Sequence, residues 1–180
     1  MDVEGVYRKS GGASQVTQVK SGFEKSSDFD ISDPDLDIHS VTSALKNYFR
    51  RLPVPLITFD VYDQFLEAGR ELLCVLLFEL LLTPLLEIED QQEKIKAMLA
   101  AINEVPRAHR DCLQFLVFHL SRVIGHAKDN LMTPLNLAVV FAPTIMRPMD
   151  IQRELTDVST QRIAVQALLE NYRDIFSEEG

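Results

Sequence analysis

An arginine lies in a glycine-rich stretch near the start of the chain, at residues 5–12, GVYRKSGG. Glycine allows positive φ angles and tight turns, and the apolar side chains of Val6 and Tyr7 can anchor the base of such a loop. The stretch therefore predicts a pinned loop that projects the Arg8 guanidinium. A surface turn with a solvated arginine is the alternative interpretation, because short glycine-rich patterns often arise by chance.

Two more cations, Lys46 and Arg50, lie four residues apart on one flank of a predicted amphipathic helix over residues 38–52. Like charges at this spacing cost about 0.2–0.5 kcal/mol, a penalty that an anionic partner would offset. A solvated helix flank is the alternative. The helix itself is indicated by apolar residues spaced three and four apart, with Asp37 as N-cap; these residues are Ile38, Val41, Leu45, Phe49 and Leu52.

A polar side chain, Asn136, interrupts an otherwise apolar stretch over residues 135–141. The preceding Thr133-Pro134 pair is typical of a helix start, with threonine as cap and proline in the first turn. Pro143 and Pro148 are expected to end this helix. Asn136 could serve a partner, or it could simply satisfy backbone groups of the first turn.

The remaining pattern is helical throughout and shows no strand alternation, so the sequence predicts an all-α bundle of about seven helices. Ser14 is the expected N-cap of the first helix. Gly125 is the expected C-cap of a core helix that starts at Pro106 and carries Phe115 and Phe118. Further helices are expected over residues 13–25, 58–70, 93–102 and 159–176.

One stretch, residues 72–86, does not fit an ordinary surface helix. Ten of the eleven residues over 72–82 are apolar, and Glu79 is the exception. A helix that is apolar all round is buried or lies in a membrane, and a membrane span needs about 20 apolar residues. We interpret the stretch as a buried segment, with membrane association as the alternative.

Charge and composition exclude several functions. The net charge of -9 argues against nucleic-acid binding, although residues 1–51 and 105–149 together carry a net charge of +2 and favour a specific anionic partner. The histidines, cysteines and carboxylates form no metal-binding or nucleophile pattern. Two isolated cysteines, Cys74 and Cys112, and a start without signal-peptide character predict a cytoplasmic protein.

Three blocks in order resemble the Rho GTPase-activating (RhoGAP) domain family: EGVYRKSG at residues 4–11, ALKNYFRRLPVPLIT at 44–58 and NLAVVFAPTIMRP at 136–148. The resemblance implies a RhoGAP-like helical domain over residues 1–176, followed by a polar tail at 177–180. Compared with the family, the chain lacks the helix expected before the first block, so we expect an N-terminally truncated domain. The 72–86 segment looks like an insert.

The resemblance also implies a function and a set of site residues. The family accelerates GTP hydrolysis by Rho/Rac-type small GTPases in their GTP-bound form. By resemblance, Arg8 is the catalytic arginine finger, and Lys46, Arg50 and Asn136 bind the partner. The resemblance also implies that Lys46 and Arg50 support the finger loop. No cofactor, metal or complete active site of the chain's own is implied, and a membrane would be reached only indirectly or through residues 72–86. The alternative is a RhoGAP-like module that docks GTPases or other signalling partners without activating them.

Overall fold

The computed structural model describes residues 1–70 and 88–176, and this part of the chain contains helices and no strands. The helices are α1 (Ala13–Lys25), α2 (Ile38–Arg50), α3 (62–70, after a 3₁₀ turn at Phe59–Val61), α4 (Ile88–Glu104), α5 (Arg107–Ile124), α6 (Ala127–Asn130), α7 (Pro134–Ile145), α8 (Arg153–Thr156), α9 (Val158–Glu170) and α10 (Tyr172–Phe176). The all-α class is confirmed. The apolar segment 72–86 and the tail 177–180 lie outside the described residues. None of the described helices is long and apolar enough to cross a membrane.

Several helix starts and ends follow from local side-chain chemistry. The Asp37 carboxylate accepts a hydrogen bond of 3.2 Å from the His39 amide and starts α2. The Thr133 hydroxyl accepts one of 3.2 Å from the Asn136 amide and starts α7. α5 ends at Gly125. These three caps are the ones that the sequence predicted. Capping residues occur at helix ends because the first and last turns leave backbone groups unpaired.

Several predicted boundaries are wrong, and the structure gives the details for three of them. Gly12, not Ser14, is the N-cap of α1. α7 continues through Pro143 to Ile145, because burial of its last turn outweighs the hydrogen bond that the proline cannot make. The final helix is broken at Asn171, whose side-chain amide donates to the Ala167 carbonyl and ends α9.

Helix α7 lies at the centre of the bundle, packed between α2 and α9. It contributes fully buried side chains to the core, namely Leu137, Ala138, Phe141, Ala142 and Ile145. α5 packs into the core through one apolar face only, which carries Leu113, Leu116, Val117, Leu120 and Val123. The prediction that α5 is a core helix is correct for that face. Phe115 on its opposite face is 74% exposed, and Phe118 is also exposed.

The buried face of α2 is more polar than its apolar spacing predicted. Ile38 and Leu45 are exposed, whereas Ser40, Thr42 and Phe49 are buried. The cause is the close approach of the segment before α1: a Cβ added to Gly11 would lie 2.2 Å from the Ser40 Cα atom. Only small residues on α2 fit against this backbone, and hydrogen bonds satisfy their hydroxyls, as Ser40 shows by donating to the Gln15 side chain.

A similar close approach between α3 and α9 gives a stability prediction. A Cβ added to Gly69 would lie 2.3 Å from the Ala164 Cα atom, so Gly69→Ala must push the two helices apart. Overpacking of this kind costs about 1–3 kcal/mol, and we expect a loss of that size in the free energy of unfolding by urea. Gly12→Ser is the control, because a Cβ at Gly12 meets nothing within 4 Å. Unchanged stability of Gly69→Ala would contradict the packing of α3 on α9.

Candidate functional site

Residues 5–9 form the tight loop that the glycine pattern predicted, called here the Arg8 loop. Gly5 has a φ of +71°, which favours glycine. The Gly5 carbonyl accepts hydrogen bonds of 2.9 Å from the amides of both Arg8 and Lys9. Tyr7 also has a positive φ, of +70°. For a tyrosine this conformation costs on the order of 1–3 kcal/mol, so contacts outside the loop must stabilise it.

Contacts at both ends of Tyr7 supply that stabilisation. The side chain is buried, with its ring edge-on to Phe141 at 5.0 Å between centroids. Its hydroxyl lies 2.6 Å from Nε2 of His119 on α5. Burial raises the pKa of Tyr7 to about 12, so the hydroxyl keeps its proton. At the backbone end, the Lys46 ammonium on α2 donates to the Tyr7 carbonyl.

The Arg8 side chain, next to this fixed residue, is exposed. Within residues 1–70 and 88–176, no group forms a hydrogen bond or ion pair with its guanidinium. The neighbouring Lys9 differs, because its ammonium pairs with the Glu4 carboxylate at 3.1 Å. The loop therefore presents one guanidinium that is available to another molecule.

The two predicted cations of α2 form hydrogen bonds within the protein, whereas the alternative interpretation expected them to be only solvated. Lys46 is half-buried, and burial, with a smaller contribution from Arg50, lowers its pKa. Its bond to Tyr7 ties α2 to the Arg8 loop. Arg50 is exposed and donates to the Thr144 hydroxyl of α7 at 3.4 Å. Lys46 therefore contacts the Arg8 loop, and Arg50, one turn further along α2, contacts the last turn of α7.

Asn136 bonds to the backbone, but not to the first turn of its own helix as the alternative interpretation proposed. Its side-chain amide donates to the Leu131 carbonyl at 2.8 Å. Its side-chain oxygen has no hydrogen-bond partner among the residues the structure describes, and the side chain is half-exposed. Leu131 follows Asn130, which contacts the Arg8 loop, so Asn136 lies close to that loop in the fold.

A buried residue that the sequence analysis missed, Asn130, fixes the start of the Arg8 loop. Its backbone carbonyl accepts a 2.8 Å hydrogen bond from the Gly5 amide. Its side-chain amide donates to the carbonyls of Val123 at 2.9 Å and Met1 at 3.0 Å, and its side-chain oxygen accepts from the Met132 amide at 2.7 Å. The sequence signal was weak, because an asparagine between two helices is typical of an exposed turn.

Arg147 is a second missed residue, and it positions α2. Its guanidinium donates to the carbonyls of Leu52 at 2.5 Å and Pro53 at 3.0 Å, beyond the C-terminus of α2. It also lies over the Phe59 ring, 5.6 Å from the centroid. Because α2 carries Lys46 and Arg50, Arg147 helps to fix both cations relative to α7.

One group of three potential metal ligands exists among the described residues, Asp2, His126 and Asp129, and all three are exposed. The Asp2 carboxylate and the His126 Nδ1 atom already pair at 2.6 Å. This contact ties the first residues of the chain to the start of α6. The residues around Arg8 present positive charge and hydrogen-bond donors at the surface.

The chain is similar to known proteins over nearly its whole length. It matches the RhoGAP domain family over residues 1–150. N-chimaerin of Rattus norvegicus is 37% identical over 180 residues, covering 98% of this chain and 49% of that protein. "Probable Rho-type GTPase-activating protein 4" of Schizosaccharomyces pombe is 34% identical, covering 98% and 17%. The chain thus spans half or less of the length of these relatives.

Two solved structures have a similar fold. Human Rho GTPase activating protein 15 superposes with a TM-score of 0.78 at 27% identity, covering 97% of this chain and 76% of that one. The BH domain from Graf, a GTPase regulator associated with focal adhesion kinase, gives a TM-score of 0.74 at 30% identity, covering 98% and 85%. Helices α8, α9 and α10 lie beyond the residues that the family match covers.

Removal of the Asn130 side chain tests its role. Asn130→Ala leaves the buried Met132 amide without its side-chain partner, and it removes the side-chain bonds to the carbonyls of Val123 and Met1. An unsatisfied buried group costs about 1–3 kcal/mol, and we expect the free energy of unfolding by urea to fall by that amount. Asn47→Ala is the control, since Asn47 is exposed on α2. Equal stabilities of the two variants would contradict the assignment.

Proposed function

Because the chain belongs to the RhoGAP family, we propose that it accelerates hydrolysis of GTP bound to small GTPases of the Rho/Rac type. We further propose that Arg8 enters the partner's active site as an arginine finger. The observation that carries the proposal is the exposed Arg8 guanidinium on a loop whose backbone is fixed by α2, α5 and Asn130. The similarity to proteins named as Rho-type GTPase-activating proteins supports it.

The chemistry explains why an arginine is suited to this task. As the γ-phosphoryl group is transferred, negative charge develops on its oxygens, and a positive donor aimed at them stabilises the transition state. A guanidinium stays charged and can donate to two oxygens at once, which an ammonium does less well. In related small GTPases an arginine supplied in trans raises the rate by roughly 10³–10⁵-fold.

The surface around Arg8 provides a docking face of mixed character. Lys46, Arg50 and Asn136 contribute cationic and polar groups, and Asn136 has an amide oxygen without a partner in the described chain. Three exposed apolar side chains lie on α7 or just before it, namely Leu131, Leu135 and Val139. Such a face suits a protein partner that carries acidic and apolar groups, and we assign these residues to binding of the GTP-bound GTPase.

The proposal also says which groups the chain supplies and which the partner supplies. The chain contributes one arginine, so the nucleotide, its magnesium ion and the attacking water belong to the partner, and no cofactor is assigned to this chain. The acidic overall charge of -9 leaves nucleic acid out of the proposal. The cytoplasmic location and the weak membrane role of residues 72–86 stay predictions of the sequence.

Substitution of Arg8 gives the direct test. Arg8→Ala should reduce stimulated GTP hydrolysis by about 10³-fold or more, because the transition-state donor is lost while most of the docking face remains. The measurement is single-turnover hydrolysis on a panel of Rho- and Rac-type GTPases loaded with GTP. Lys9→Ala is the matched control, since it removes the adjacent cation, which pairs with Glu4, and should retain most of the activity.

Each possible result of this experiment has a distinct meaning. Wild-type activity in Arg8→Ala would show that the finger assignment is wrong. Binding to GTP-loaded partners without any rate increase by the unmodified chain would select the other function predicted from the sequence, a docking module that does not activate GTPases. Absence of both binding and rate increase across the panel would overturn the proposal.

The cationic docking face predicts a salt-dependent affinity. Raising the ionic strength from about 0.1 M to 1 M shortens the Debye length from about 10 Å to 3 Å, which weakens attraction between exposed charges. We expect Kd for the GTP-bound partner to rise with salt, and the dependence to be shallower in Arg50→Ala. Lys20→Ala is the control, because Lys20 lies on α1 and pairs with Glu24. An affinity that does not respond to salt would remove Lys46 and Arg50 from the docking face.

A further inference from the structure

Tyr7 directly precedes Arg8 and has a backbone conformation that tyrosine rarely adopts. Its φ of +70° lies in the left-handed region. If Tyr7 relaxed to the right-handed region, the peptide group joining it to Arg8 would rotate and the Arg8 side chain would point elsewhere. The direction of Arg8 therefore depends on whatever holds Tyr7 in this conformation.

The side chain of Tyr7 is held mainly by α5 and α7. It is only 4% exposed. Its ring packs edge-on against Phe141 of α7 and stands nearly perpendicular to the His119 ring, with an interplanar angle of 82°. The 2.6 Å contact between the Tyr7 hydroxyl and His119 Nε2 is the polar anchor of this packing.

The direction of this hydrogen bond follows from the two protonation states. Burial raises the pKa of Tyr7, so its hydroxyl is a donor. Burial, with a smaller contribution from Arg122, lowers the pKa of His119, which favours the neutral ring. A neutral imidazole offers one nitrogen as an acceptor, and Nε2 is the nitrogen that faces the hydroxyl.

We propose that Tyr7 and His119 are positioning residues for Arg8, and that the hydrogen bond between them holds the loop backbone in the conformation that directs the guanidinium outward. The Tyr7 side chain is buried and acts only through the backbone that it shares with Arg8. His119 acts one step further away, through the Tyr7 hydroxyl. The inference rests on the finger role of Arg8 proposed above.

Two substitutions remove the hydrogen bond from opposite sides. Tyr7→Phe deletes the hydroxyl and keeps the ring, and His119→Leu deletes the acceptor. Each should lower the maximal single-turnover rate about five-fold, the value of one ordinary hydrogen bond. Kd for the GTP-bound partner should stay within about two-fold. The double variant should be no slower than either single variant, because both remove the same bond.

Two further variants separate positioning from general stability. His119→Gln keeps an acceptor near the position of Nε2 and should restore most of the rate. Tyr62→Phe removes another buried tyrosine hydroxyl, which donates to Asp157 at 3.1 Å and accepts from Gln161 at 2.8 Å between α3 and α9. Tyr62→Phe should lose stability and keep the maximal rate.

The results that would overturn the inference differ from those that overturn the proposed function. Unchanged maximal rates in Tyr7→Phe and His119→Leu, with Arg8→Ala inactive, would remove the positioning role alone. A weaker Kd with an unchanged maximal rate would also overturn it, because the pair would then serve binding. If Tyr7→Phe does not fold, the rates of His119→Gln and His119→Leu decide, and equal rates would contradict the inference. Full activity of Arg8→Ala would overturn both the inference and the finger role on which it depends.

Discussion

Hydrogen bonds from distant helices to one short loop are the interaction on which the candidate site depends. Fixing a single loop residue costs about 1–2 kcal/mol of backbone conformational entropy, and the positive φ of Tyr7 adds to that cost. Asn130, Lys46 and His119 offset it with bonds from three directions, to the Gly5 amide, the Tyr7 carbonyl and the Tyr7 hydroxyl. Arg8 is exposed, and the residues that precede it in the loop, Gly5 and Tyr7, are held by these bonds.

The pairing of α2 with α7 gives this loop its surroundings. α7 is apolar along most of its length, and its few polar side chains link it to the site: Asn136 bonds the backbone beside the loop, and Thr144 accepts from Arg50. Arg147, just beyond α7, bonds the chain that leaves α2. The cations of α2 are therefore positioned by the helix that forms the centre of the core, so the stability of the core and the geometry of the docking face have a common origin.

The sequence predicted most of the helices, because periodicity and caps are local signals, and the four proposed site residues stay predictions from it. It failed where tertiary contacts decide. Pro143 does not end α7, since packing of the last turn outweighs one lost hydrogen bond. The buried polar face of α2 arises from the close approach of Gly11, which no spacing rule contains.

The support of the site was the hardest part to predict. Asn130 and His119 carry no pattern of their own, and their partners are residues near the start of the chain. The resemblance implied that Lys46 supports the loop, but only the structure shows that it does so by donating to the Tyr7 carbonyl. A residue that supports a loop through one hydrogen bond can be recognised only from its position beside that loop in the folded structure. No short stretch of sequence shows which distant residues will lie there.

The separation in sequence between the loop and its anchors has a consequence for the order of events in folding. Asn130 is 129 residues from Met1, and His119 is 112 residues from Tyr7. Contacts of such long range form only after the intervening helices have packed, so the loop takes its shape late. In the native state, the same segment can detach locally while the rest of the bundle persists. We therefore expect the ability to present Arg8 to be lost on warming no later than the helical structure, so a melting curve of the whole domain gives an upper limit for the range over which the site is intact.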